Sequence, residues 1–223
     1  MVKITQMNQR YDLLLIQEAC KEFNIQPKNI FEIGSRDGLD TNWLSQLFNI
    51  PPQNCFVFEP HPTSYKNIIS NFPKFNIFNI ALWDETETIT FNAIRNEKNN
   101  IGMSSLMARD NLNPELYDII DVDAWRMDNV LNNISYVREI DICKIDVEGA
   151  TFEVLCGFGT RLNDVLILQL EIENKEIWKE QKLFTDINNF LTKENDFYLF
   201  GQFRLCDEQS DCLYINKKLT NHV

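Results

Sequence analysis

The alternation of short apolar runs with helical patterns over the first third of the chain limits the possible folds most tightly. Asn29 to Ile33 is a short strand ending in Gly34-Ser-Arg-Asp-Gly38, and a helix follows from about Thr41 to Phe48. Pro51-Pro52 stops that helix, and Cys55 to Phe58 is a second buried strand ending at Glu59-Pro60. Pro62 opens another helix that runs to Asn71, ahead of Pro73. Proline suits a helix's first turn, where its missing N–H has no intrahelical partner, and it breaks a helix elsewhere. Strand, glycine loop, helix, strand, helix is a βαβα series, which requires a largely parallel sheet.

Asn76 to Leu82 reads as a third strand. Thr88 to Ala93 and Asp118 to Ala124 alternate differently and predict an antiparallel addition beside the main sheet, separated by a polar stretch holding Gly102-Met-Ser-Ser-Leu106. The main alternation resumes with helix Asp128 to Asn133, strand Asp141 to Ile145, helix Thr151 to Phe158 and strand Val165 to Ile172. After a helix near Phe184 to Lys193, Phe197 to Phe203 and Cys212 to Ile215 make a closing hairpin. At the other end, Met7 to Phe23 predicts a helix with Leu14, Leu15 and Ala19 on its apolar face and Glu18 and Glu22 opposite, a lid or a packing helix. Residues 1–28 form this helical segment and 29–223 the α/β domain, with no internal repeat or long linker, so one globular body is expected.

The balance of 21 basic against 33 acidic residues leaves a net charge of −12. Such a surface repels nucleic acid phosphates and anionic membranes, and no basic patch offsets it. The longest apolar runs are four residues, as at Leu13 to Ile16, so neither a membrane span nor a signal peptide is expected. The six cysteines never form a Cys-x-x-Cys pair, which fits reduced, buried thiols in a cytoplasmic protein and gives no zinc-ligand spacing. A Cys206–Cys212 bridge across the terminal hairpin is the less favoured reading.

The chemistry gathers at strand ends. In Ile142-Cys-Lys-Ile-Asp-Val-Glu-Gly149 an apolar strand stops in two carboxylates, Asp146 and Glu148, at the sheet edge where open α/β folds bind ligands. Acids complementing a helix dipole are the plain alternative. Glu32-Ile-Gly-Ser-Arg-Asp-Gly38 resembles a dinucleotide loop, but Arg36 stands where such loops need a glycine against the pyrophosphate, which disfavours NAD and FAD. Two glycines with three residues between them suit a looser turn, such as one around the amino-acid part of S-adenosylmethionine. Twenty-one residues after Gly38, Glu59 sits at a strand tip where a carboxylate can accept ribose hydroxyls.

These pieces also occur together in a known family. Glu32-Ile-Gly-Ser-Arg-Asp-Gly38, Phe58-Glu-Pro-His-Pro62, Asn79-Ile-Ala81, Gly102-Met-Ser-Ser-Leu106, Met127-Asp-Asn-Val-Leu131 and Lys144-Ile-Asp-Val-Glu-Gly-Ala150, in this order, make the chain resemble the FkbM family of S-adenosylmethionine-dependent methyltransferases. The resemblance implies a Rossmann-like class I methyltransferase fold: a mainly parallel seven-stranded sheet with a terminal antiparallel hairpin. It also implies methyl transfer to oxygen on a sugar, glycan or related natural product. Carried onto this chain, it assigns Glu32, Gly34, Ser35, Arg36, Asp37, Gly38, Glu59, Pro60, Ala81 and Asp146 to the cofactor. The chain departs from the family pattern at Glu32, where aspartate is usual, at Ser35, where alanine is common, and at Thr151, where a glutamate more typically follows the Gly-Ala pair.

Displacement at a sulfonium methyl needs positioning and a group to take the acceptor's proton. Asp146 is the first candidate base and Glu148 the second, with Glu171 and Glu173 at the next strand end placed to orient the acceptor. Oxygen ligands from two strand ends suit a divalent metal such as magnesium, although no diagnostic metal pattern is present. His61 reads as a helix-start residue rather than a base, and Trp83, Trp125 and Trp178 as packing residues rather than stacking platforms. Two other classes stay open: a catalytically silent S-adenosylmethionine-binding partner subunit, and a nucleotide-dependent oxidoreductase. The sequence does not specify the oligomeric state.

Overall fold

The computed structural model describes residues 11–95, 101–109, 113 and 115–222. Its elements are α1 (Tyr11–Glu22), β1 (Ile30–Ile33), α2 (Leu39–Phe48), β2 (Cys55–Phe58), α3 (Pro62–Asn71), β3 (Asn76–Phe78), β4 (Ala81–Leu82), β5 (Glu87–Ile94), β6 (Tyr117–Trp125), α4 (Met127–Asn133), β7 (Ile140–Ile145), α5 (Thr151–Gly157), β8 (Val165–Glu173), α6 (Phe184–Asn189), β9 (Phe197–Arg204) and β10 (Gln209–Asn216). Residues 7–10 of the predicted first helix lie outside the described residues.

Seven strands form one sheet in the order β3-β2-β1-β7-β8-β10-β9. The first five run parallel, and β10 is antiparallel to both β8 and β9. This is the mainly parallel sheet with a closing hairpin that the sequence predicts. Every residue of β1, β2 and β7 is buried, because helices cover both faces and leave no polar side to alternate with. Successive residues still point to opposite faces. Phe31, Phe56, Cys143 and Leu168 pack toward α4 and α5, while Ile30, Cys55, Ile142 and Ile167 pack toward α1 and α2.

The predicted third strand is split. Asn76 to Phe78 joins the main sheet, but the Asn79 side-chain amide donates to the carbonyls of Glu59 and Pro60 at 2.8 and 3.0 Å and turns the chain away. Ala81 and Leu82 then pair with Ala124 and Trp125, so a second sheet forms in the order β4-β6-β5. That sheet is the predicted addition, and β5 and β6 are its antiparallel pair.

Of the two roles open to the first helix, the structure shows packing. Leu13, Ile16 and Ala19 are fully buried against β8, β9 and β10, whereas Leu14 and Leu15 are only half-buried, so the inward face is rotated from the predicted one. No α1 residue lines the cleft described below. None of the six cysteines is in a disulfide; Cys206 is exposed and Cys156 half-buried, which departs from the uniform burial expected. Among the described residues, no helix is long and apolar enough to cross a membrane.

Candidate active site at the sheet's switch point

Strand register builds the site. Ile33 pairs with Phe58 on one side and Ile145 on the other, and Ile145 pairs with Leu170. The next residue of each chain therefore falls in one row along the carboxyl edge: Glu59, Gly34, Asp146 and Glu171. Strand order reverses between β1 and β7, so this row spans the crevice where ligands bind in open α/β sheets.

The glycine loop closes on its own side chains. Ser35 Oγ accepts the Gly38 N–H at 3.0 Å, and Asp37 Oδ1 accepts that of Leu39 at 3.0 Å. Arg36 adopts a left-handed φ of 57°, which points its N–H at Glu59 Oε2, 2.7 Å away. Glu59 Oε1 takes the His61 N–H at 2.7 Å, and burial raises this carboxyl to about 7 against those two hydrogen bonds. Beneath the loop, Glu32 accepts both the N–H and the hydroxyl of Thr41, and burial pushes it up to about 8. His61 is fully engaged as a helix cap: Nδ1 accepts from Thr63 and Ser64, and Nε2 lies 2.9 Å from the Ile94 carbonyl.

The cleft has two lobes that share Gly34, Arg36, Gly102 and Asp146. The apolar lobe lies between the strand ends and the second sheet and includes Phe58, Glu59, Pro60, Ala81, Leu82 and Phe91. The polar lobe is lined by Glu32, Ser35, Asp37, Asp40, Lys144, Glu148 and Glu171. Of the residues predicted to hold the cofactor, Gly38 alone lines neither lobe; it forms the turn against Phe72. Trp83, Trp125 and Trp178 also lie outside both linings.

At the polar end, carboxylate oxygens of Asp146, Glu148 and Glu171 lie within 4.8 Å of one another. Burial by itself would raise the Asp146 carboxyl, but Lys144 and a hydrogen bond from Glu171 hold it below its usual range. Burial and the adjoining Asp146 charge push Glu171 far above its ordinary value. Glu148 is raised to about 8, first by burial and then by Asp146 and Glu173. The cluster thus holds one carboxylate, Asp146, beside two carboxyls that retain protons at neutral pH. Three oxygen donors this close could also hold a hard divalent cation such as magnesium. Glu173, the other acid considered on β8, is 1% exposed and accepts a hydrogen bond from the Gly149 backbone.

Three residues in or beside the cleft have contacts that the sequence reading did not assign to them. Ser105, within the Gly102–Leu106 motif, donates its hydroxyl to the Glu148 carbonyl at 2.5 Å and accepts the Met107 N–H at 2.9 Å, which fastens that segment over the cleft. Lys144 is buried beneath Asp146, 2.9 Å from its Oδ2. Trp178 is fully buried against Gly149, with the Arg109 guanidinium 5.5 Å from its ring centre. Ser105 and Trp178 reach partners tens of residues away, whereas Lys144 and Asp146 are two residues apart.

Fold and cleft together are those of a Rossmann-like α/β protein with its ligand crevice at the switch point. The family model described as the methyltransferase FkbM domain matches residues 32–199, so the chain belongs to the FkbM family of S-adenosylmethionine-dependent methyltransferases. It is 26% identical over 208 residues to the 2-O-methyltransferase NoeI of Sinorhizobium fredii (strain NBRC 101917 / NGR234), covering 85% of this chain and 80% of that protein. Its fold is similar to that of the crystal structure of methyltransferase FkbM from Methylobacillus flagellatus KT, with a TM-score of 0.56 at 12% identity over 85% of this chain. The chain spans 44% of that larger protein.

Proposed function

We propose that this chain methylates a hydroxyl of a sugar, glycan or related small molecule, with S-adenosylmethionine across the two lobes and Asp146 taking the acceptor's proton. The observation that carries this reading is the meeting of an apolar lobe and an acid-lined lobe at Gly34 and Asp146. The apolar lobe suits an adenine ring, Glu59 at its rim a ribose, and the loop from Gly34 to Gly38 the amino-acid portion. When bound, the cofactor supplies a methyl group on a sulfonium that any aligned oxygen can displace.

The chain's own part is positioning and proton handling. Asp146 is the ionised carboxylate of the cluster, so it can accept a hydroxyl proton as the oxygen attacks. Glu171 donates to it and fixes its orientation. Glu148, carrying its own proton near neutrality, can donate to a neighbouring oxygen of the acceptor. Ser105 ties the Gly102–Leu106 segment, part of which lines the apolar lobe, to the Glu148 backbone beside the acid cluster. The name 2-O-methyltransferase of the NoeI relative supports a hydroxyl acceptor. Six cysteines outside any disulfide are consistent with work in the reducing cytoplasm.

The test is a methyl-transfer screen against nucleotide sugars and glycans, run beside calorimetry with S-adenosylhomocysteine and with NAD. Binding of S-adenosylhomocysteine with transfer to a hydroxyl supports the reading. Binding with no transfer to any hydroxylated acceptor favours the silent partner subunit, and preference for NAD favours an oxidoreductase.

A further inference from the structure

Lys144 is the residue whose burial the fold explains least. It lies in the middle of the sheet, paired in register with Glu32 of β1 and Gln169 of β8, and is 4% exposed. It shares a sheet face with Ile142, where an aliphatic side chain would pack without loss of hydration. Instead its amine reaches two carboxylates from different elements: Asp146 Oδ2 at 2.9 Å, just past the end of β7, and Asp40 Oδ2 at 3.4 Å, in the first turn of α2. A buried cation with two such partners is fixed at both ends.

We propose that Lys144 is a positioning residue for methyl transfer: bridging Asp40 and Asp146, it holds the Asp146 carboxylate in place in the cleft and locks the start of α2 against it. The geometry places Lys144 below Asp146 and at the floor of the polar lobe, which both the glycine loop and the acid cluster border. The surrounding charges give the arrangement its direction. Glu32, Asp40, Asp146, Glu148 and Glu171 all line that lobe, and Lys144 is the cation that contacts Asp146 from the protein side. Neutralising it would leave Asp40 and Asp146 facing each other across a vacated site, and Asp146 would turn away from its productive orientation. Because misplacement of a catalytic group by about 1 Å can cost on the order of 10²-fold, this role shows in turnover rather than in cofactor affinity.

The inference rests on the reading of Asp146 as the proton acceptor, and a double-mutant cycle separates the two. In Lys144→Met, turnover per folded molecule should fall by roughly 10- to 100-fold while S-adenosylhomocysteine affinity stays within about threefold. In an Asp146→Asn background the same change should cost nothing further, because the residue it positions has already lost its function. Wild-type turnover in Lys144→Met, or losses that multiply in the double variant, overturns the proposal while leaving Asp146 itself untouched. A lack of effect in Asp146→Asn alone overturns the underlying reading instead. If Lys144→Met does not yield folded protein, Asp40→Asn releases the other end of the bridge. It should give a smaller loss that is absorbed in the Asp146→Asn background in the same way, and unchanged turnover there overturns the proposal.

Discussion

The carbonyl oxygen of Asp146 lies 1.9 Å from the point where a Cβ on Gly34 would stand. The backbones of the glycine loop and the acid turn are in contact, with the Asp146 N–H also donating to the Ile33 carbonyl at 2.9 Å. Glycine loop and acid turn are therefore one unit, and the glycine is required by that contact as well as by its φ of 77°.

Gly34→Ala should accordingly damage more than the loop. The left-handed backbone alone costs an alanine about 1–2 kcal/mol, and the clash with backbone cannot be relieved by a rotamer change. A lowered melting temperature together with lost S-adenosylhomocysteine binding is expected; a variant with normal stability and affinity would show that the two turns move independently.

Glu59 holds the other side of the loop, with each carboxylate oxygen taking a backbone N–H. Glu59→Ala removes those hydrogen bonds and any made to the ribose. At about 1.5–3 kcal/mol for each charge-assisted bond, calorimetry should show S-adenosylhomocysteine binding weakened at least about tenfold. Unchanged affinity in the folded variant would remove Glu59 from the cofactor site.

The buried acids set a pH dependence of known sign. Glu59 and Glu173 are raised to about 7 and Glu32 and Glu148 to about 8 from an ordinary 4.5, in each case chiefly by burial. An acid whose folded pKa is raised stabilises the fold below its unfolded pKa, and that contribution is lost as pH rises through the folded value. Thermal stability of the ligand-free protein should therefore decline between about pH 4.5 and 8. Denaturation midpoints rising across that interval would contradict the burial of these carboxyls in their protonated form.

Helix α1 contributes to the core. Leu13 and Ile16 have no exposed surface, so Leu13→Ala or Ile16→Ala should cost about 2–5 kcal/mol of stability. Turnover per folded molecule should be unchanged, the reverse of what a lid would give. Chemical denaturation beside kinetics on the same samples distinguishes the two.

Much of this was legible in the sequence wherever signals were local. Gly34, Glu59 and Asp146 each follow a short apolar run, and period and punctuation alone put them at strand ends. What escaped depended on distant partners. Asn79 ends β3 by binding carbonyls twenty and nineteen residues back, so the split of the third strand had no local mark. The inward face of α1 is set by the sheet beneath it, and three consecutive leucines left its rotation open. Ser105 and Lys144 fall within family motifs, but what each touches shows only when the fold brings Glu148 beside the first and Asp40 beside the second.

The central claim is that Asp146 takes the proton of a hydroxyl acceptor. Asp146→Asn keeps the side chain's shape and removes its basicity, so single-turnover methyl transfer to a verified hydroxyl acceptor should fall by roughly 10²–10⁴. S-adenosylhomocysteine affinity should barely change. Glu148→Gln, measured alongside, should lose less. Wild-type rates in both variants would contradict the account and leave positioning as the whole of the protein's contribution.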